Sequence, residues 1–203
     1  MTKYELIQDA VSKADKEISN IGTATFEIGG FTSPKIRHLM NNLGAISTNY
    51  LEIGCHRGAT LTATFCNNPQ LNFVAIDNFS EFEDGTVEGE LRQNIKRFGG
   101  TGKFIKGDCW TADLGEQKFD LYLYDGAHDV ESQERAITHF EKHFADEVIV
   151  CVDDYDWNDV IAGTDMGLHD LSPAVYDIRC CAVKKASDGY HNGFAVLLIT
   201  RKK

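Results

Sequence analysis

Proline is scarce in this chain of 203 residues, at three, and no linker, low-complexity tract or internal repeat divides it. That leaves a length suited to one domain and no room for two large ones. No run approaches the ~18–20 consecutive apolar residues of a membrane helix, and the polar start MTKYELIQDAVSKADKE lacks the apolar stretch of a signal peptide. The expectation is a cytoplasmic protein with no membrane partner. Positive charge is short as well, with 20 Lys plus Arg against 31 Asp plus Glu and a net charge of −11. Such a balance opposes binding to a phosphate backbone, so nucleic acid is not the expected partner. The six cysteines form no C-x-x-C pair and mostly sit in or beside apolar runs, which reads as reduced, mostly buried thiols. What the chain does have is 42% apolar and 25% charged residues, enough to build a sizeable core.

Periodicity orders the elements. Tyr4, Ile7, Val11, Ala14 and Ile18 recur at steps of three and four, predicting an opening amphipathic helix. Ser33 caps a second helix, Pro34 suits its first turn, and Gly44 stops it. Short strand-like runs follow at 50–53, 72–76, 104–105, 119–124 and 148–152, alternating with helical stretches marked by Leu61 and Phe65, by Leu91, Ile95 and Phe98, and by Ile137, Phe140 and Phe144 behind a cap near Asp129. This alternation predicts an α/β fold, Rossmann-like and doubly wound, with a seven-stranded, mostly parallel sheet and helices on both faces. Runs 175–183 and 194–200, joined by the polar segment 187–193, read as an antiparallel C-terminal hairpin. Residues 1–45 form an N-terminal helical segment expected to pack on a domain spanning 46–203.

In open α/β sheets, ligands bind beyond the carboxyl ends of the strands. Here those ends are acidic: Glu52-Ile53-Gly54-Cys55-His56-Arg57-Gly58, Asp77, Gly107-Asp108, Asp125-Gly126-Ala127-His128 and Asp153-Asp154-Tyr155. A glycine loop between strand and helix admits close approach of a ligand, and an acid ending the next strand can accept hydrogen bonds from ribose hydroxyls. The combination points to a nucleoside-bearing cofactor. A dinucleotide fingerprint would be G-x-G-x-x-G, whereas this loop is E-x-G-x-x-x-G with His56 at the middle position. An NAD-dependent oxidoreductase is therefore the less favoured alternative, beside a non-catalytic nucleoside-binding relative.

These motifs resemble class I methyltransferases that use S-adenosylmethionine, and within them the small-molecule branch of macrolide sugar O-methyltransferases and cephalosporin-hydroxylase-like proteins (methyltransferase domain 24 type). The resemblance spans roughly residues 28 to 200 and includes Gly30-Phe31-Thr32-Ser33 before the loop. It implies cofactor contacts from Glu52, Gly54, Cys55, His56 and Gly58, from Asp77 and Asn78 at the ribose, from Asp108, Cys109 and Trp110 at the adenine, and from Asp125. Ala127 departs from the branch's usual acid. The implied reaction is O-methylation of a small hydroxylated acceptor.

Asp125, Asp153 and Asp154 converge if the fourth and fifth strands are neighbours, and such hard oxygen ligands suit Mg²⁺ or Ca²⁺, with Mg²⁺ the expected cofactor. The resemblance gives that cation the task of gripping two neighbouring hydroxyls. His128 and Asp125 are the candidate catalytic residues, His128 as general base because its ordinary pKa of ~6.5 lies near working pH. Each has a plainer reading: Asp153-Asp154 as a helix cap, His128 as a hydrogen-bond partner of the next turn, and Trp110 and Trp157 as packing. The acidic run Glu81 to Glu90 reads as a solvated loop or a lid. Residues 156–173, with Trp157, Met166 and His169, are expected to supply part of the acceptor wall. Because the chain leaves little room for a separate substrate domain, contacts in a homo-oligomer are expected to complete the pocket.

Overall fold

Strand β1 (Asn49–Ile53) is buried along nearly its whole length, as a strand covered on both faces must be. It pairs in parallel with β2 (Asn72–Asp77) on one side and β4 (Phe119–Tyr124) on the other. In this computed structural model, which describes residues 1–81 and 85–203, β3 (Gly102–Lys106), β5 (Phe144–Asp153), β6 (Tyr176–Lys184) and β7 (Phe194–Arg201) complete a seven-stranded sheet in the order β3-β2-β1-β4-β5-β7-β6. Strand β7 runs antiparallel to both of its neighbours. The chain builds outward from β1 to β3 and then returns to β4 beside β1, so the sheet's switch point lies between the ends of β1 and β4.

Alternation along the strands divides the core. Leu121 and Leu123 face one layer with Ile7, Leu39, Leu61 and Leu91. That layer is made by α1 (Lys3–Ala14), α2 (Pro34–Gly44), α3 (Ala59–Phe65) and α4 (Thr86–Phe98). Tyr122 and Tyr124 face the other layer, where Ile137 and Val160 come from α5 (Val130–Thr138) and α6 (Asn158–Asp170). Ser33 and Asp129 cap α2 and α5 with their side chains, accepting from the amides of Ile36 and Ser132. Gly99 ends α4 in the left-handed region at φ 69°.

Two sequence expectations are corrected, and one helix is added. The first helix stops at Ala14, and Ile18 is 53% exposed instead of continuing the apolar stripe. Helix α5 ends at Thr138, so Phe140 lies in the following turn and Phe144 opens β5; all three aromatic and aliphatic positions are nonetheless buried. The added helix is α6, which takes up most of 156–173. Its buried stripe is Val160, Gly163, Thr164 and Gly167, too small and polar to display a helical period. Both glycines are needed for packing on α5: a β carbon would lie 2.3 Å from the Val130 carbonyl oxygen at Gly163 and 2.7 Å from that of Glu134 at Gly167.

The six cysteines carry no disulfide; Cys55, Cys66 and Cys151 are buried and Cys180 is exposed. Among the described residues, no helix is long and apolar enough to cross a membrane. The acidic run Glu81–Glu90, expected as a loop or lid, is helical from Thr86 onward as the start of α4, and residues 82–84 lie outside the described residues.

Candidate active site

The carboxyl ends of β1, β2, β3 and β4 are held in step by three backbone bonds that continue the ladders: Gly54 N–H to Ile76 O at 2.9 Å, Asp125 N–H to Ile53 O at 2.9 Å and Gly107 N–H to Asp77 O at 3.0 Å. Beyond them opens a cleft of about 440 Å³. Gly54 sits at φ 81°, and a β carbon there would lie 1.8 Å from the Asp125 carbonyl oxygen, so only glycine lets the first and fourth strand ends approach this closely. His56, Phe79 and Asp154 also have positive φ, at 47°, 54° and 54°. Non-glycine residues held in that region store strain, and here they cluster around one cavity.

Asp77 organises the glycine-loop side. One carboxylate oxygen accepts from the amides of Cys55 (2.7 Å) and His56 (2.8 Å), and the other from Phe79 (2.7 Å), tying the glycine loop to the end of β2. Asp108 accepts from the Trp110 amide at 3.0 Å. The Trp110 ring carries the Arg135 guanidinium 4.4 Å from its centroid and packs near Tyr124. The His56 ring lies 5.2 Å from that of Phe31, and burial pulls the His56 pKa down.

At the switch point, ligand atoms of Asp125, His128 and Asp154 all lie within 4.8 Å of one another. His128 Nε2 is 2.7 Å from Asp154 Oδ2, yet the ring's N–H makes no well-directed hydrogen bond, so the contact is one of charge and proximity. Asp154 holds the His128 pKa above its ordinary value against the opposing effect of burial. Burial, and then the Asp154 charge, push the Asp125 carboxyl up to about 7. A group in this cluster is thus poised to change charge near neutrality.

Of the residues singled out in the sequence, Gly54, His56, Asp77, Asn78, Asp108, Cys109, Trp110, Asp125, His128 and Asp154 line this cleft. Glu52, Cys55, Gly58 and Asp153 do not. Glu52 is 1% exposed beneath the loop, where Tyr50 Oη donates to its Oε2 at 2.5 Å and burial raises its pKa well above the carboxylate range. Cys55 contributes its amide, and its buried thiol packs in the core. Gly58, at φ 80°, starts α3, with a β carbon there 2.6 Å from Leu91 Cδ1. Asp153 is 3% exposed and accepts from the Asp154 amide at 2.9 Å, supporting its neighbour and standing apart from the cluster.

The structure adds His191 and Asn192 to the cleft wall, from the turn between β6 and β7. Asp156 pins that turn, donating its amide to Asn192 O at 2.8 Å and accepting from the Ala186 amide at 2.7 Å. Of the expected acceptor wall 156–173, Trp157 alone reaches the cleft, 45% exposed and with its ring 4.8 Å from that of His128. The sequence does show His191-Asn192-Gly193 as a turn. Its only signal for a site is that the turn falls at the same end of the sheet as the other acids, which becomes visible once β7 is placed beside β5.

The structure aligns with solved methyltransferases. A Bacillus cereus O-methyltransferase in complex with SAH shares 15% identity, covering 98% of this chain and 93% of that one, at a TM-score of 0.66. An SAH-bound Podospora anserina methyltransferase shares 16%, covering 96% and 88%, at 0.63. A SAM-bound O-methyltransferase of tomaymycin synthesis from Streptomyces achromogenes shares 17%, covering 95% and 90%, at 0.62. At these identities the likeness is one of fold. No curated protein matches the sequence significantly. A family model described as a methyltransferase domain matches residues 51–155, just over half of the chain and the whole stretch from the glycine loop to the Asp153-Asp154 turn. The chain belongs to that methyltransferase-domain family.

Proposed function

We propose that this protein transfers a methyl group from S-adenosylmethionine to a hydroxyl oxygen of a small acceptor, with a divalent cation such as Mg²⁺ at the switch point. The observation that carries the proposal is the Asp125, His128 and Asp154 cluster, which shares one cleft with the glycine loop of a methyltransferase-domain chain. Two carboxylates converging beside an imidazole fit a hard divalent cation. When bound, the two groups supply an electrophilic sulfonium methyl and a Lewis acid that makes a nearby hydroxyl more acidic. The solved O-methyltransferases from Bacillus cereus and Streptomyces achromogenes, in complex with SAH and SAM, support the choice of cofactor.

The chain's own residues then divide the work. Asp77 sets the loop amides and presents its carboxylate at the ribose position, while Asp108 and Trp110 frame the adenine end. Asp125 and Asp154 hold the cation, and Asp153 fixes Asp154 through its amide. His128 takes the acceptor's proton, and Asp154 stabilises the imidazolium that forms. Direct displacement needs little more than this alignment and a proton acceptor. Residues 1–45 serve as a helical buttress, with α1 and α2 filling the same core layer as β1 and β4.

Calorimetry with S-adenosylhomocysteine and with NADH, followed by methyl transfer to a panel of hydroxylated acceptors with Mg²⁺ or chelator, tests the reading. Tight S-adenosylhomocysteine binding and turnover lost in His128→Gln are expected. Preference for NADH, or cofactor binding without turnover of any acceptor, would move the chain to an oxidoreductase or a non-catalytic binder.

A further inference from the structure

Among the described residues the cleft wall is acidic, and its only nitrogen bases are the histidines His56, His128 and His191. Asp77, Glu81, Asp108, Asp125 and Asp154 line it, and among the described residues no Lys or Arg does. Residues 82–84, outside the description, are Phe, Glu and Asp and bring no positive side chain. Nearby cations are engaged elsewhere: Arg57 pairs with Glu90 at 2.6 Å, Lys106 with Glu88 at 2.7 Å, and Arg135 covers the Trp110 ring. A sulfonium cofactor of net charge +1 and one divalent cation leave these five carboxylates, once ionised, in excess by two, or by one where His128 is protonated.

The acceptor side has a second character. Trp157 presents an exposed indole next to His128, and the pinned turn places His191 and Asn192 in the same cavity. An aromatic face within a field of uncompensated carboxylates attracts an ammonium group and stacks on a flat ring. A phosphate or carboxylate on the acceptor would meet no guanidinium or ammonium in the wall.

We infer that the cleft selects a hydroxylated acceptor carrying an amine and rejects anionic acceptors, including those linked to phosphate. This rests on the transferase reading above and specifies its substrate class. Opposite signs of one tail charge, several ångströms from a net charge of about one to two, should separate otherwise equal ligands by roughly tenfold or more, and the gap should shrink with salt.

The test is calorimetric titration of the full chain, loaded with S-adenosylhomocysteine and Mg²⁺, with three catechol probes alike in ring and diol whose tails are aminoethyl, hydroxyethyl or carboxymethyl. The expected order is amine, then alcohol, then acid, with at least roughly tenfold between the first and last. Binding of the acid as tightly as the amine overturns the inference, as does a protein that binds S-adenosylhomocysteine and none of the probes. Failure to bind S-adenosylhomocysteine instead removes the transferase reading. Ala127→Lys supplies an independent arm, because Ala127 is exposed on the cleft wall and its engaged groups are backbone ones, such as the carbonyl that accepts from Gln133. This variant should keep its S-adenosylhomocysteine affinity while the amine-to-acid ratio falls to about one or inverts. An unchanged ratio overturns the inference.

Discussion

Replacing Asp125 with Asn should make the metal-free protein more stable at alkaline pH while removing its activity. The Asp125 carboxyl is pushed up to about 7, first by burial and then by Asp154. A folded-state pKa above the unfolded one means that the native protein holds more protons than the unfolded chain between about pH 4 and 7. Stability is therefore full at the acidic end of that window and drains away as pH rises through it. At about 1.4 kcal/mol per pH unit the ceiling is about 4 kcal/mol. Asp153 and Asp154 share the same repulsion and water reaches the half-buried Asp125, so Asn should recover about 1–3 kcal/mol. For a chain of this length that is roughly 3–10 °C in melting temperature. His128, raised by Asp154, acts in the same direction, since its favourable charge is present at low pH and is lost as pH rises through its folded pKa. Thermal unfolding by circular dichroism in chelator, at about pH 5.5 and about pH 8, reads the effect. Wild type should melt lower at the higher pH and regain the loss with Mg²⁺, whereas Asp125→Asn should be flatter and indifferent to the cation. A wild type that gains stability toward pH ~8, or a variant that melts below it there, refutes the reasoning.

Gly54→Ala should cost more than about 3 kcal/mol, since its β carbon would collide with the Asp125 carbonyl at a positive φ; an unchanged urea midpoint would contradict this. Asp77→Ala leaves the amides of Cys55, His56 and Phe79 without their acceptor, so S-adenosylhomocysteine affinity should fall at least roughly thirtyfold by calorimetry. Tyr50→Phe removes the 2.5 Å donor to buried Glu52 and should cost about 1–3 kcal/mol in chemical denaturation with little direct effect on the cleft; equal stability would mean that Glu52 finds another partner.

Much of this was legible from residue patterns because local signals and the fold agree. Ser33 and Asp129 cap helices where their side chains and the following apolar spacing require, and 119–124 was readable to the residue because its alternation serves two apolar layers. The strand-end acids were readable because parallel sheets place their functional edge there. Long-range geometry was not. Glu52 and Asp77 both follow apolar runs, yet one points under the loop to Tyr50 and the other binds the loop's amides, a difference that follows from strand pairing. Asp153 and Asp154 are adjacent, and the positive φ of Asp154 sends their carboxylates to different surroundings. Helix α6 escaped notice because two glycines stand where a helix normally advertises its buried face.

Those two glycines have a consequence for chemistry far from their own position. Helix α5 begins just after His128 and helix α6 just after Trp157, close behind Asp154, so the halves of the cluster ride on the leading ends of two helices whose spacing Gly163 and Gly167 set. The helix pair works as a calliper, and its jaws are His128 and Asp154. Their 2.7 Å opening is thereby gauged by backbones in contact along the helices and not by the loops around the mouth alone.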